Sequence, residues 1–600
     1  MVKPLSTPFG HPLPPVHDND DNDTSHAITA HVPGWETLSK IASGDPETFA
    51  KLKAIYPRFG VFFATRNLSN AIVRKVGLPE DYIALLFVSR ETLADCKAYA
   101  TSPRRGDHRL TAQDLTFKVL DIYGVRLYGI FVPATKIFGI IGFWQHPGIG
   151  ISTRLADFLL PHVDTLQELL PIDPERVGDD DDYDHYIPKP TYLLDSPVHG
   201  QLRERIVSLL KRAPAPAPPA TSISAPPPLS AGDPLPPKLT PGDVYLFPSG
   251  MAAIYRLQSY LSAANNNEYK SVAFGCLYHS TLDILEEFGG YELFGRGDES
   301  DLARLEKFLE EEESRNERKV QALYVEFPSN PVLVCSPLAR LRALADKYEF
   351  VLVVDDTVGS FCNVDLLSVA DVVVSSLTKS FSGYADVMAG SLVLNPLGPA
   401  YRKLRPLLRN SFHNELFVED ALVLERNSRD YLARSAILNR NAEAVVTFLQ
   451  SKAENDTSAV SKVLYPTVSP TARDNYTPFM RAATPEFTPG YGCLFSVEFE
   501  QQEDMIAFYE ALQVHMGPHL GAHLTLALPY NEVMFGRTGS DEKKARAESF
   551  GWSMLQIRVS VGLEDVDQLV ETFAEAVRVA DEVKSRRTDV VDGLDKIRIE

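Results

Sequence analysis

Cysteine is scarce in this chain: five residues in 600, standing far apart at positions 96, 276, 335, 362 and 493. An odd, scattered set with no pair at metal-ligand spacing excludes a disulfide framework and a cysteine zinc site, and is expected of reduced intracellular thiols. Basic residues are in deficit too, 59 Lys and Arg against 80 Asp and Glu, for a formal net charge of −21. That balance excludes a nucleic-acid partner, whose phosphates demand the opposite sign. Unbroken apolar runs of bilayer length are missing. The nearest approach, residues 125–144, is interrupted by Arg126, Pro133 and Lys136. It is read as two strands, 125–132 and 136–144, joined by Pro133-Ala134-Thr135, with no membrane partner. The opening Met1-Val2-Lys3-Pro4-Leu5-Ser6 has neither the apolar core of a secretory signal nor the arginines of a transit peptide. A cytoplasmic location is the expectation.

What is present is apolar bulk, 44% of the residues, enough for a large core and more than one domain. Residues 1–30, rich in proline and acid, are expected to form a disordered tail. Residues 31–212 read as an N-terminal α+β domain of unknown role, with strands at Tyr56-Pro57-Arg58-Phe59-Gly60-Val61-Phe62-Phe63 and at 83–88 and helices at 91–98 and 155–169. The acidic run at 179–182 marks a solvated connection, residues 202–212 a short basic helix, and 213–241 a proline-rich linker. From 242 to about 400 short apolar strands alternate with helices, the pattern of βαβ units. That calls for an α/β fold with a mostly parallel sheet and helices on both faces. Residues 401–590 read as a long helix and a smaller C-terminal α+β domain, closed by a helix at about 564–585.

Two of those strands end in chemistry. Val372-Val373-Val374 runs into Ser375-Ser376-Leu377-Thr378-Lys379-Ser380, so a lysine stands just past the carboxyl end of a buried strand, where an open α/β sheet binds its ligands. Val351-Leu352-Val353-Val354 runs into Asp355-Asp356-Thr357. An amine on one strand end and an acid on its neighbour are what pyridoxal phosphate requires: a covalent anchor, and a carboxylate that keeps the pyridine nitrogen protonated. A phosphate cup is present as well. Tyr245-Leu246-Phe247 leads through Pro248-Ser249-Gly250-Met251 into an apolar helix, so the N–H groups of Gly250 and Met251 meet a phosphate at the positive end of a helix dipole. Hydroxyls of Ser376 and Thr378 complete the cup.

The order Ser249-Gly250-Met251-Ala252-Ala253, Glu326-Phe327-Pro328-Ser329-Asn330-Pro331, Val354-Asp355-Asp356-Thr357, Ser376-Leu377-Thr378-Lys379 and Asp386-Val387-Met388-Ala389-Gly390 resembles the Cys/Met-metabolism family of pyridoxal phosphate enzymes. Within it, Lys379-Ser380-Phe381-Ser382-Gly383-Tyr384, Leu424-Glu425-Arg426-Asn427-Ser428-Arg429-Asp430-Tyr431 and Gly490-Tyr491-Gly492-Cys493 resemble the fungal-type cystathionine γ-synthases. The resemblance implies an aspartate aminotransferase-like fold (fold type I), with 242–400 as the cofactor-binding domain. It also implies a homo-oligomer, dimer or tetramer, acting on small amino acids.

The resemblance also assigns roles. Lys379 is the anchor and proton carrier, and Tyr278 stacks on the cofactor ring; these two are the expected catalytic residues. Asp355, not Asp356, meets the ring nitrogen, and Asn330 contacts the cofactor oxygen or the substrate. Arg558, inside Gln556-Ile557-Arg558-Val559-Ser560, binds the substrate carboxylate with Thr525 near it. The Tyr-x-Arg or Gly-Arg-Asn-Leu element that relatives use to grip the phosphate from a neighbouring subunit is not recognised ahead of Tyr245. Arg203 and Arg205 stand as substitutes. The activity implied is γ-substitution on an O-acylated L-homoserine by cysteine, giving cystathionine. Another nucleophile (sulfide, carbon or nitrogen) and a non-catalytic family member are the alternatives.

Overall fold

A computed structural model describes residues 5–15, 24–171, 195–216, 238–315, 319–537 and 541–599. The acidic run at 179–182, most of the proline-rich linker and part of the expected disordered tail lie outside the described residues.

The N-terminal region forms a four-stranded antiparallel sheet. Its strands are β1 (Tyr82–Phe87), β2 (Thr116–Ile122), β3 (Val125–Pro133) and β4 (Gln167–Pro171), in the order β1-β3-β2-β4. Tyr123 and Gly124, at φ 54° and 79°, turn β2 into β3 as a two-residue hairpin, a geometry whose twist suits the strands it joins. The hairpin expected within 125–144 is thus displaced. Its first strand is β3, but its partner is the upstream β2, and the residues after Pro133 form a 3₁₀ turn and a short helix, Ile141–Gln145. Residues 56–63, expected as a strand, instead form an irregular crossing that leads into helix Phe63–Lys75. The helix expected at 155–169 is broken: Thr153–Leu159 is helical, and β4 begins at Gln167. No helix among the described residues is long and apolar enough to cross a membrane.

The central sheet has seven strands: β5 (Val244–Phe247), β6 (Lys270–Phe274), β7 (Tyr291–Phe294), β8 (Val320–Glu326), β9 (Val351–Asp355), β10 (Val372–Ser375) and β11 (Gly390–Leu394). Their order is β5-β11-β10-β9-β8-β6-β7, and only β11 runs antiparallel to its neighbours. Most of their residues are buried, as a sheet covered on both faces requires. β9 and β10 lie side by side and parallel, with Val374 opposite Asp355, so both chemical strand ends open on one edge. Helix Tyr431–Ala453 leads to a five-stranded sheet of β12 (Val460–Leu464), β13 (Leu494–Phe499), β14 (His515–Met516), β15 (Leu526–Leu528) and β16 (Gln556–Ser560). Its order is β12-β13-β16-β15-β14.

Two segments pack differently from expectation. Helix Pro197–Lys211, assigned above to the N-terminal domain, buries Leu202 and Ile206 in the core shared with Leu246 and Val373 of the central sheet. The described ends of the expected tail are tied down as well. Leu13 and Ile28 are buried, and Ile28 N–H donates to Ala385 O at 2.9 Å, because apolar residues among the prolines and acids find a groove to fill. The N-terminal region is also locked to helix Gly250–Ala264. Phe143 meets Tyr255 edge-on at 5.7 Å, and the buried Arg256 donates to Asp95 Oδ2 at 2.8 Å and Thr92 Oγ1 at 2.6 Å, with Glu415 at 3.4 Å. Burial pushes the Asp95 carboxyl up to about 6, with the Arg256 charge opposing the rise.

Candidate active site

Between the central sheet and the C-terminal region lies a cleft of about 760 Å³ lined by Gly250, Met251, Tyr278, Asn330, Asp355, Ser376, Thr378, Lys379 and Arg558, all singled out by the sequence. Tyr56, Arg58, Glu326 and Thr357 line it too, four residues to which the sequence motifs assign no site role.

The end of the cleft expected to take the phosphate is built by backbone. Ser249 caps helix Gly250–Ala264 by accepting the Ala252 N–H at 3.0 Å, which leaves the first helical N–H groups open. Gly250 has to be glycine, because a Cβ there would stand 2.8 Å from the Ser376 Cβ. Thr357 links acid and cup. Its N–H donates to Asp355 Oδ1 at 2.9 Å, and its hydroxyl accepts the Ser376 N–H at 2.8 Å. The Thr378 hydroxyl donates to Ala389 O at 3.1 Å, so that bond must be exchanged before Thr378 can donate to a phosphate.

Arg58 closes the same end from the N-terminal region. Its Nη1 donates to His146 O at 3.5 Å, while its Nε is buried without a partner. A Cβ on Gly148 would stand 2.6 Å from Ser249 Oγ and 3.0 Å from Arg58 Nη2, so glycine is what lets this loop fold over the cap. Tyr56-Pro57-Arg58 is therefore the Tyr-x-Arg pattern, supplied in this structure by the same chain. Arg203 and Arg205 are not its substitutes: Arg203 is paired with Asp195 and Arg205 with Glu425.

Around the reacting end, Lys379 Nζ donates to Tyr56 Oη at 3.0 Å and lies 3.4 Å from His519 Nδ1. Burial brings the lysine pKa down to about 7; Tyr278 opposes the shift, and Arg558 and Arg58 add to it. Glu326 is shared between two site residues, its carboxylate accepting the N–H groups of Tyr278 and Asn330. Burial and the neighbouring Asp355 push it well above the usual carboxylate range. Burial also raises Asp355, with hydrogen bonds from Thr357 opposing the rise, and a protonated ring nitrogen held there would favour the carboxylate. Asp356 does not line the cleft; it is buried, held up at about 8, with Oδ1 unpartnered.

Arg558, 2% exposed, donates through Nη1 to Asn330 Oδ1 at 3.2 Å and through Nη2 to Pro518 O at 2.6 Å, and its guanidinium lies 4.7 Å over the Tyr530 ring. Thr525 is not with it. Its hydroxyl donates to Glu564 Oε2 at 2.9 Å and accepts the Gly562 N–H at 2.9 Å, so it braces the turn after β16 outside the cleft.

Residues 240–578, more than half of the chain, match the family model described as Cys/Met metabolism PLP-dependent enzyme. The chain belongs to that family. Residues 64–152 match the model of the fungal trans-sulfuration enzyme N-terminal domain. Among curated proteins, the chain is 34% identical to the cystathionine gamma-synthase-like enzyme iboG1 of Amanita muscaria, over 96% of this chain and 98% of that one. It is 33% identical to the alanine racemase ungC of Aspergillus violaceofuscus, covering 96% and 97%. It is 30% identical to the cystathionine gamma-synthase of Neurospora crassa, covering 95% and 99%. A crystal structure of cystathionine gamma synthase from Xanthomonas oryzae aligns at a TM-score of 0.50 and 20% identity, over 66% of this chain and 88% of that one, which speaks for fold type I alone.

As a member of the Cys/Met-metabolism family the protein is a cystathionine γ-synthase-like enzyme that uses pyridoxal phosphate, and the residues present fit the group. The cup at Gly250 admits no side chain, and the orphan Arg58 Nε is a buried donor in want of an anion. Replacing Arg58 by alanine would remove the charge-assisted hydrogen bond that this donor is expected to give a phosphate. Its expected effect is a rise of about 10- to 100-fold in the cofactor's Kd, read by titrating apoenzyme, with kcat at saturating cofactor little changed.

Proposed function

We propose that the protein catalyses γ-substitution on an O-acylated L-homoserine, with cysteine as the incoming nucleophile and cystathionine and a free carboxylic acid as products. The observation that carries this reading is the meeting of Lys379, Asp355 and Arg558, from three separated parts of the chain, around one cleft. When bound, the cofactor supplies the electron sink that acidifies the substrate's Cα–H and, after it, the Cβ–H.

The chain's part is orientation, charge and proton movement. Arg558 takes the substrate carboxylate in its planar fork; buried as it is, it gains a charge partner in doing so. Lys379, freed by the incoming amine, is a base with a pKa of about 7, suited to taking a proton from Cα and returning it elsewhere near neutral pH. The Tyr56 hydroxyl holds its Nζ. The acyl group leaves Cγ as carboxylate, and the cysteine sulfur bonds to the same carbon with loss of its proton.

A second reading keeps these steps and changes the nucleophile to one without a carboxylate, such as sulfide or a carbon or nitrogen compound. Arg58, Lys379 and Arg558 are the cations that line the cleft among the described residues. Phosphate, proton transfer and the first substrate engage all three, so none is left for a second amino acid's carboxylate. Product analysis separates the readings. Holoenzyme is given O-acetyl- or O-succinyl-L-homoserine with cysteine, sulfide, or a carbon or nitrogen nucleophile. Cystathionine is expected with cysteine; its absence alongside a product from another nucleophile establishes the second reading. Ketoacid and ammonia released without a second substrate, or D-alanine formed from L-alanine, overturn both.

A further inference from the structure

The segment that follows β14 touches both ends of the reaction. Its Pro518 and His519 carbonyls accept from Arg558 Nη2 at 2.6 and 3.4 Å. The His519 imidazole reaches the other way, with Nδ1 at 3.4 Å from Lys379 Nζ. Gly521 permits the approach: at φ 70°, a Cβ there would fall 2.5 Å from the Ser380 N, so this backbone lies directly on the backbone beside Lys379. Its N–H is fixed by Ser560 Oγ at 2.8 Å, two residues beyond Arg558. His519 is 0% exposed and its Nε2 has no partner, a state that packing alone does not explain, since an apolar side chain would fill the space without leaving a buried ring nitrogen unbonded.

We infer that His519 is a positioning residue for proton transfer: its imidazole accepts a hydrogen bond from Lys379 Nζ while its backbone holds Arg558, which sets the amine and the carboxylate-binding cation at a fixed separation. This rests on Lys379 being the anchor and proton carrier. The groups facing the pair are Tyr56 and Arg58 from the N-terminal region, Tyr278 ahead of helix His279–Glu287, Arg558 on β16 and His523 on the same segment. Burial, then the Lys379 and Arg558 charges, keeps the imidazole neutral, so the Nδ1 lone pair is free to accept.

The test reads the amine itself. Apoenzyme is mixed with pyridoxal phosphate across a pH series, and its capture is followed as growth of absorption at about 420 nm. The neutral amine is the nucleophile, so the capture rate rises with pH through the lysine pKa, expected at about 7 in the wild type. A hydrogen bond accepted from the ammonium favours the charged form. His519→Leu should therefore lower the midpoint by about half a unit or more, and slow the high-pH rate about tenfold through lost orientation. His519→Asn, whose Oδ1 takes the place of Nδ1, should restore both. If the leucine variant does not fold, His519→Gln, whose amide lies too far out to replace Nδ1, takes its place. An unchanged midpoint and rate in the variant lacking the acceptor overturn the role of His519. No capture by the wild type, or capture that survives Lys379→Ala, overturns the assignment of Lys379 instead.

Discussion

Holoenzyme carrying Lys379→Ala is expected to lose turnover by at least about four orders of magnitude, together with its absorption at about 420 nm. Both losses follow if, as proposed, one nitrogen anchors the cofactor and moves the protons. No neighbour can stand in for it. The Tyr56 phenol lies on the far side of a 3.0 Å hydrogen bond from Nζ, and burial and the Arg558 charge, which remain in the variant, disfavour a proton on the His519 ring. Partial recovery of turnover by a small added amine would show that the rest of the cleft is intact. Retention of the absorption band in the variant would move the anchor elsewhere and sink the reading.

The second large effect is expected at Arg558. Replacing it with leucine would leave the substrate carboxylate buried without a partner, a loss of about 3–5 kcal/mol, or about 10²- to 5 × 10³-fold in kcat/KM. Arg558→Lys should recover only part, because a point charge cannot offer two parallel donors to the carboxylate while also holding Asn330 and Pro518. The decisive comparison is a substrate analogue lacking the carboxylate, whose turnover should be low and nearly indifferent to the change at Arg558. An equal loss with that analogue would make the arginine a brace for Asn330 and the 518–519 segment and no more.

The strand-end chemistry was legible because it is local. A buried strand and the residues just past it lie within ten positions of one another, and the parallel pairing of β9 with β10 then brings Asp355 and Lys379 together without any long-range information. Tyr56 and Arg58 were hidden for the opposite reason. Tyr56 meets Lys379 across 323 positions, and its apolar, aromatic surroundings imitate a strand. The signal is nevertheless present as a literal Tyr-x-Arg, nearly two hundred positions ahead of the phosphate turn and inside an apolar, aromatic stretch. Thr525 failed by geometry: it precedes β15, whose Leu528 pairs with Arg558, but Glu564 draws its hydroxyl away from the cleft. His519 carries no pattern at all; only the close backbone approach at Gly521 reveals it.

Helix Gly250–Ala264 has one end at the expected phosphate cup and, through Arg256, its side against Glu91 and Asp95 of the N-terminal region, with Glu415 completing the acidic cluster. A border drawn where the larger family match begins, at residue 240, is therefore not a border of the machine. A fragment cut there would keep its lysine but lose the phenol that steadies it and the guanidinium that seals the cup. Exchanging the first 170 residues of this chain for a relative's would, on the proposed reading, replace Tyr56 and Arg58 of the cleft and not a mere accessory.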